Sequence, residues 1–502
     1  MKALILGIDG GSLSLLSPLM AEGRLPNLSR LLGQSRYGTT KTTWPAHTAP
    51  GWSTFVTARS PGGHGVYQFF GTQERDYGAR LTGTGDFGCS TLWEWLAAQG
   101  LSAGIINVPM SHPPRELPGY QVTWPLEQTL RFSRPGSLLA ELARAGAPFA
   151  PDIMTMFGGD HSYLDGALAN VGARGRSVRY LLDNHPVDVV MAVLTEVDRI
   201  CHHYWHFADG CHPSHRQPDE PRWADAMRLV HEAVDAVFGE ILEAVGDEVP
   251  VLVLSDHGLG EGRLNLGVNS VLAEAGLLRL RTGRGEHATW FDGVGNTVDF
   301  GATRAYMPTP GCYGVNLNLR GRQRDGTVRP SEATVLREEI GELFLSLRAP
   351  DTGERVFAAA LPSEEAYPGP MSSRAPDLLL IPADEGVLAD PGITGGRWRP
   401  SEQTGMHRYA GMWAYRSPRV SPGPHPDPVA LCDLAPTLLA DLGLRFPAAV
   451  HGRPIPEVLE ANGSPLPYLP DPGAPEASAA DTARILHEDD LTARSLSAMG
   501  YL

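Results

Sequence analysis

Three carboxylates fall where short apolar runs end. Asp9 closes the run Ala3–Ile8, Asp198 follows closely on Val187–Leu194, and Asp256, with His257 beside it, comes just after Val249–Leu254. A single aspartate after a strand is ordinarily a turn former or a helix cap. Three at strand ends are harder to dismiss: neighbouring parallel strands bring such ends together, and clustered carboxylates repel one another unless a cation neutralises them. A divalent metal site is the chemistry this pattern points to. His202 strengthens it, because Asp198 and His202 at i and i+4 of a helix share one face about 6 Å apart, within reach of one ion. The same stretch holds Cys201, His203, His206, Cys211, His212 and His215. With His202 these permit a closed structural zinc site instead, although no subset has the usual finger spacing.

A nucleophile for such a site is available in the stretch from Thr42 to Thr57, where Thr43 and Thr48 each open a Thr-x-Pro. A hydroxyl beside metal ions can be deprotonated and attack phosphorus in line. A helix beginning after Pro50 would aim free N–H groups at the anion. By local composition alone, the stretch is also an ordinary Thr/Pro turn with a helix cap.

The elements that must position these residues follow from the apolar pattern. Ala3–Ile8, Ala103–Val108, Val187–Leu194, Val249–Leu254 and Leu378–Ile381 are short and rich in Val, Ile and Leu, as suits strands covered on both faces. Helical patterns lie between them. The clearest spans Trp223–Val245, with Ala226, Leu229, Val230, Ala233, Val234, Val237, Ile241 and Leu242 on one face. Alternation of this kind predicts an α/β fold with a doubly wound, mostly parallel sheet flanked by helices. Ligands of such folds gather beyond the carboxyl ends of the strands. Two stretches interrupt the rhythm. Residues 110–180 are expected to form an inserted cap, and 285–330 a second insertion, leaving 1–109 and 181–456 as the catalytic core. Residues 457–502 form a Pro/Ala/Gly-rich linker and a tail whose amphipathic stretch 482–499 is suited to docking or to forming a homo-oligomer.

Composition narrows the function classes. The chain has 502 residues and a formal net charge of −16, so it will not grip a nucleic acid duplex through a basic face. A small phosphorylated substrate is still allowed, because bound cations reverse the local sign. The five cysteines are scattered and odd in number, which argues against a disulfide scaffold and for a reducing compartment. The N-terminal apolar run is too short for a signal peptide, and no run approaches eighteen apolar residues. A cytoplasmic protein with no membrane attachment is the expectation.

The motifs, in order, resemble the alkaline phosphatase superfamily, specifically its type I phosphodiesterase/nucleotide pyrophosphatase branch and the related predicted phosphohydrolase/phosphomutase proteins. The likeness runs from Lys2 to about Glu457. It rests on GIDGG around Asp9; Thr48-Ala-Pro-Gly-Trp with Thr57 nine residues on and Pro61-Gly-Gly-His64-Gly65 after it; Asp198-x-x-x-His202; Ser255-Asp256-His257-Gly258; Gly405-Met-His407; and Asp433 through Thr437 with His451-Gly452-Arg453. The resemblance implies two divalent ions, one held by Asp198, His202 and His407, the other by Asp9, Thr48, Asp256 and His257. Mixed imidazole and carboxylate donors suit zinc first, with manganese and iron as alternatives. It also implies a phosphothreonine intermediate on Thr48, since the interval to Thr57 and His64 favours Thr48 over Thr43.

There are departures. The branch commonly carries an Asn three residues after the nucleophile, where this chain has Gly51, whose backbone N–H is then the candidate phosphoryl contact. Lys41 and Arg59 are further candidates for contact with a terminal phosphate. No Cys lies near Thr48, which disfavours a sulfatase. The expected activity is metal-dependent hydrolysis of a phosphate ester or diphosphate. A phosphomutase using the same site is the nearest alternative, followed by a non-catalytic metal-binding protein of the same fold.

Overall fold

A computed structural model describes residues 1–78, 80–125, 129, 131–149, 162–281, 297–393, 396–456 and 468–474. Four of the five apolar runs become strands of one ten-stranded sheet. Its centre reads Val251–Leu254, Ala3–Ile8, Val189–Leu194, Ala103–Ile106 and Gly119–Val122 in space, and all five are parallel. Every residue of Ala3–Ile8, Val189–Leu194 and Val251–Leu254 is buried, as expected of strands covered on both faces. Outside Val251–Leu254 the sheet turns antiparallel, with Ala410–Arg416 and then Arg36–Lys41. The predicted helix is present as Ala226–Val245, preceded by a 3₁₀ turn at Pro221–Asp225. It packs against both Ser162–Asn184 and Glu196–Ala208.

Register is what matters for the site. Ile8 lies opposite Leu194 and Gly7 opposite Leu254. The three chains therefore leave the sheet within a residue of one another, and Asp9, Thr195 and Ser255-Asp256 emerge together.

The described residues redraw the expected insertions. Within 110–180, Gly119–Val122 and Ser133–Arg134 extend the main sheet, and Ser162–Asn184 belongs to its helical layer. The described part of that stretch continues the core: its Pro and Gly residues punctuate short strands, which composition alone does not distinguish from a cap. The second insertion is larger than 285–330. After Gly258–Glu261 the chain builds a smaller lobe, from Leu264–Gly267 to Trp398–Pro400, before returning on Gly405–Arg408, which pairs with Gly258–Glu261. This lobe has its own core, including Leu266, Phe300, Val315, Phe344 and Leu380. Leu378–Pro382 is a strand, but of this lobe's antiparallel sheet beside Gly314–Leu317 and Phe357–Pro362. An apolar run announces a buried strand without saying which sheet will bury it. The tail stretch 482–499 lies outside the described residues. No described helix is long and apolar enough to cross a membrane, and all five cysteines are free thiols.

Candidate active site

The helix Thr48–Thr57 is buried at all ten positions and ends the approach to the sheet's carboxyl edge. His47 caps it, its Nδ1 accepting the N–H of Ala49 at 3.2 Å. The helix thus begins at Thr48, three residues earlier than a start after Pro50, and its first turn offers little to an anion. The N–H of Ala49 is taken by His47, Pro50 has none, and the N–H of Gly51 donates to the His47 carbonyl at 2.9 Å. Gly51 is therefore not the backbone phosphoryl donor anticipated from its place in the motif. Its role is steric: a Cβ there would stand 2.9 Å from the Cβ of Asp256 and 3.0 Å from its carbonyl oxygen. The absence of a side chain lets the helix lie directly on the Asp256 turn, and in this backbone an Asn would collide.

Thr48 Oγ1 lies 3.4 Å from Asp9 Oδ1 and 3.3 Å from His257 Nε2. Asp256 Oδ2 is 3.2 Å from the same Nε2, so Asp9, Asp256, His257 and Thr48 face one point. Next to it, Asp198 Oδ1 is 3.2 Å from both His202 Nε2 and His407 Nε2, and those two nitrogens are 3.1 Å apart. The rings of His257 and His407 are 3.9 Å apart, which makes the two groups neighbours. His407 comes from a distant part of the sequence. It rides on the returning strand Gly405–Arg408, opposite Leu259.

The outward nitrogens explain what the inward ones can do. His202 Nδ1 meets the Gly405 carbonyl at 2.6 Å, His257 Nδ1 that of Gly258 at 3.1 Å, and His407 Nδ1 that of Ala46 at 2.9 Å. A carbonyl only accepts, so each Nδ1 carries the proton and each Nε2 presents a lone pair to the centre. Lone pairs and carboxylate oxygens converging at about 3 Å lack hydrogens to share, and Asp256 Oδ2 is buried with no hydrogen-bond partner among the described residues. The residues fit divalent cations, and the carbonyls are the outer contacts that orient metal-binding imidazoles. Electrostatics agree. Burial, then the charge of Asp198, pushes the Asp9 carboxyl well above the usual range, and burial and then Asp9 do the same to Asp256. Burial followed by repulsion from His407 holds His257 neutral. Burial also opposes the charge on Asp198, but His202 and His407 outweigh it and keep that carboxylate ionised.

Other candidates are placed elsewhere. The Thr43 hydroxyl donates to the Pro45 carbonyl at 2.9 Å. Arg59 follows the far end of the helix Thr48–Thr57, about 15 Å from Thr48 at 1.5 Å per residue, and pairs with Asp471 at 2.6 Å. That engagement removes it as a phosphate contact. Lys41 is exposed at the end of its strand. The histidines beyond His202 do not form a zinc site: His206 Nδ1 is 3.0 Å from Thr404 Oγ1, His212 Nε2 donates to the Gly262 carbonyl at 2.8 Å, and His215 Nδ1 to the His206 carbonyl at 2.8 Å. Among the described residues only the two groups above gather three metal-binding side chains.

Three contributors were not anticipated from the sequence. Trp52, four residues after Thr48 and so on the same helix face, donates its indole N–H to Asp9 Oδ2 at 3.2 Å. The backbone N–H of Gly10 donates to Asp256 Oδ1 at 3.3 Å. Arg199 lies 3.0 Å from Asp198 Oδ2, its guanidinium 5.9 Å from the centre of the Trp124 ring.

Comparison with known proteins accords with this geometry. Residues 3–410 match the type I phosphodiesterase / nucleotide pyrophosphatase family. No curated protein sequence matches the chain. Among solved structures, human ectonucleotide pyrophosphatase/phosphodiesterase 5 is similar in fold at TM-score 0.54 and 12% identity, covering 92% of this chain and 99% of its own. Phosphonoacetate hydrolase from Sinorhizobium meliloti 1021, in complex with phosphonoformate, is similar at TM-score 0.55 and 14% identity, covering 87% and 94%. Wild-type alkaline phosphatase PafA is similar at TM-score 0.56 and 12% identity, covering 91% and 98%. With the match spanning most of its length, the chain belongs to the type I phosphodiesterase / nucleotide pyrophosphatase family, and is a metal-dependent hydrolase of phosphate ester or anhydride bonds.

Proposed function

We propose that the protein hydrolyses a small phosphate ester or diphosphate through a phosphothreonine on Thr48, with Asp198, His202 and His407 holding one divalent ion and Asp9, Asp256, His257 and Thr48 a second. The observation that carries this reading is the single hydroxyl of Thr48 facing Asp9 Oδ1 and His257 Nε2 at the edge of a buried set of inward lone pairs. When bound, the ions would neutralise the carboxylates, lower the pKa of the hydroxyl and balance charge building on the phosphoryl oxygens.

The chain's own residues do the rest. The buried helix fixes Thr48 so that attack on phosphorus needs no side-chain search, which lowers the entropic part of the barrier. Thr48 Oγ bonds to phosphorus as the ester or anhydride oxygen leaves. Water then attacks phosphorus, the Thr48 oxygen departs, and free phosphate or phosphomonoester is released. Trp52 and Gly10 hold the outer oxygens of Asp9 and Asp256, so their inner oxygens keep one orientation.

Purified protein assayed against bis-p-nitrophenyl phosphate, p-nitrophenyl phosphate, nucleotides and sugar phosphates, with zinc or manganese added, tests the reading. Product release with a trapped phosphothreonine supports it. Turnover that yields an isomeric phosphate ester and almost no free phosphate would assign a mutase instead. Failure to bind any divalent ion would remove the basis of both.

A further inference from the structure

Three aspartates meet at one edge of the sheet, and the side chains of Asp9, Asp198 and Asp256 are all fully buried. They stand close together. A Cβ on Gly10, the residue after Asp9, would lie 3.3 Å from the Cβ of Asp198, and the Gly10 N–H donates to Asp256 Oδ1 at 3.3 Å. His202, His257 and His407 turn lone pairs rather than protons toward these carboxylates, so their inward nitrogens bring no positive charge. A permanent cation does touch the set. Arg199 lies 3.0 Å from Asp198 Oδ2 with its side chain 2% exposed, so salt screens the contact little. Its guanidinium is 5.9 Å from the centre of the Trp124 ring, which is buried just past the strand Gly119–Val122. The charge reaches further than Asp198: the Asp9 carboxyl, which burial and then Asp198 push up, is drawn the other way by Arg199. Arg174, another buried guanidinium nearby, is engaged by Glu196 and by Thr195 Oγ1 at 2.8 Å.

We propose that Arg199 is a positioning residue that stands in for metal: its charge holds the emptied ligand set together, and the same charge weakens the binding of the ions. Carboxylates converging in a buried site repel one another until cations enter. A guanidinium in contact with one of them, and within reach of a second, relieves part of that repulsion when no ion is bound. Once an ion is bound, the positive charge opposes it across a short distance with little solvent between. Arg199 therefore brings the metal-free and metal-loaded chains closer in stability than the ligands alone would. The inference rests on both groups holding divalent ions, as proposed above, and adds a residue outside the ligand set that governs how tightly they are held.

The full-length chain and its Arg199→Gln variant are stripped with chelator, and two quantities are read: the urea midpoint of the metal-free form, and zinc affinity by competition with a chelator of known strength. The two should move in opposite directions. Arg199→Gln should unfold at lower urea when metal-free, bind zinc at least about tenfold tighter than the parent, and recover most of the lost midpoint when saturated with zinc. A side chain that merely packs between Trp124 and Asp198 would lower the midpoint with and without zinc and leave affinity equal or weaker, and that result overturns the proposal. Arg199→Lys, which keeps the charge, should stay nearer the parent in zinc affinity than Arg199→Gln does; a Lys variant binding as tightly as the Gln variant would also overturn it. Should metal-free Arg199→Gln fail to fold, Asp198→Asn is added to it. The neutral pair should fold again, because neither charge is then buried without the other, whereas a double variant that stays unfolded assigns Arg199 to packing and rejects the counter-charge. A parent chain that binds no divalent ion would instead remove the proposed function on which the inference rests.

Discussion

The two ends of the helix Thr48–Thr57 both bury polar side chains, and they do so in opposite ways. At the carboxyl end the histidines, Thr57 and the Arg59 charge each meet a protein partner. The Thr57 hydroxyl donates to the Ser53 carbonyl at 2.7 Å. His64 Nδ1 accepts the N–H of Val66 at 3.1 Å while its Nε2 meets Thr54 Oγ1 at 3.0 Å. His451 Nδ1 accepts the N–H of Ser60 at 3.0 Å, and Arg59 is paired with Asp471. At the amino end the outward nitrogens of His202, His257 and His407 meet backbone carbonyls, and the inward ones face carboxylates, the Thr48 hydroxyl and each other. Burial of polar residues therefore does not by itself mark a site. What marks it is acceptors left pointing at one another, because that arrangement is unfavourable until a cation enters.

Substitutions at the two ends should separate these roles. The largest effect is expected for Thr48→Ala, which should lower turnover by at least about 10³-fold while bound metal is retained. Activity within tenfold of the parent would place the nucleophile elsewhere. His407→Ala should remove one metal equivalent and cost about 10²-fold or more in turnover, since it deletes one of three donors. Metal analysis showing both ions still present would contradict the grouping.

Smaller effects probe stability. Gly51→Asn places a side chain where a Cβ already meets Asp256 at 2.9 Å. Overpacking of that kind should cost about 1–3 kcal/mol in chemical denaturation, and an unchanged midpoint would mean that the helix can retreat freely. At the other end, burial, then the positive charges of His451 and Arg59, lowers His64 from 6.5 to about 3. Between those values the unfolded chain binds a proton that the folded chain does not, so stability falls as pH drops from about 6.5 toward 3. By pH 5 the loss should reach about 2 kcal/mol. His64→Asn, which keeps an acceptor for Val66, should flatten that fall, and an identical pH profile would remove His64 as its cause. Least of all, Arg59→Ala should cost under about 1 kcal/mol and leave turnover unaltered. A large loss of activity would restore the phosphate-binding role that its pairing with Asp471 argues against.

Much of this was legible because chemistry and geometry coincide in short stretches. The strand-end carboxylates Asp9 and Asp256 and the helical pair Asp198 and His202 were readable from apolar runs and i,i+4 spacing, which are local properties. His407 was not derivable that way. Nothing within ten residues of it signals a ligand, and only likeness to a family drew attention to it. The structure shows why: the smaller lobe separates Glu261 from Gly405 in sequence, and backbone pairing of Gly258–Glu261 with Gly405–Arg408 closes the gap. Gly51 misled for the converse reason. Its position in a motif suggested a contact with substrate, whereas its hydrogen bond and its closeness to Asp256 are properties of a packed helix.

By itself the sequence determined which donor atoms exist, which strands are buried on both faces, and that a hydroxyl lies at the start of a helix, because these depend on residue type and on periods of two or four residues. Tertiary structure alone decided how Thr48 converges with the strand-end carboxylates, that Arg199 balances Asp198 while Arg59 stands about 15 Å away, and which nitrogen of each histidine turns inward. Those outcomes depend on register between distant strands and on which carbonyl an imidazole happens to meet, and neither is encoded in any short window of the chain.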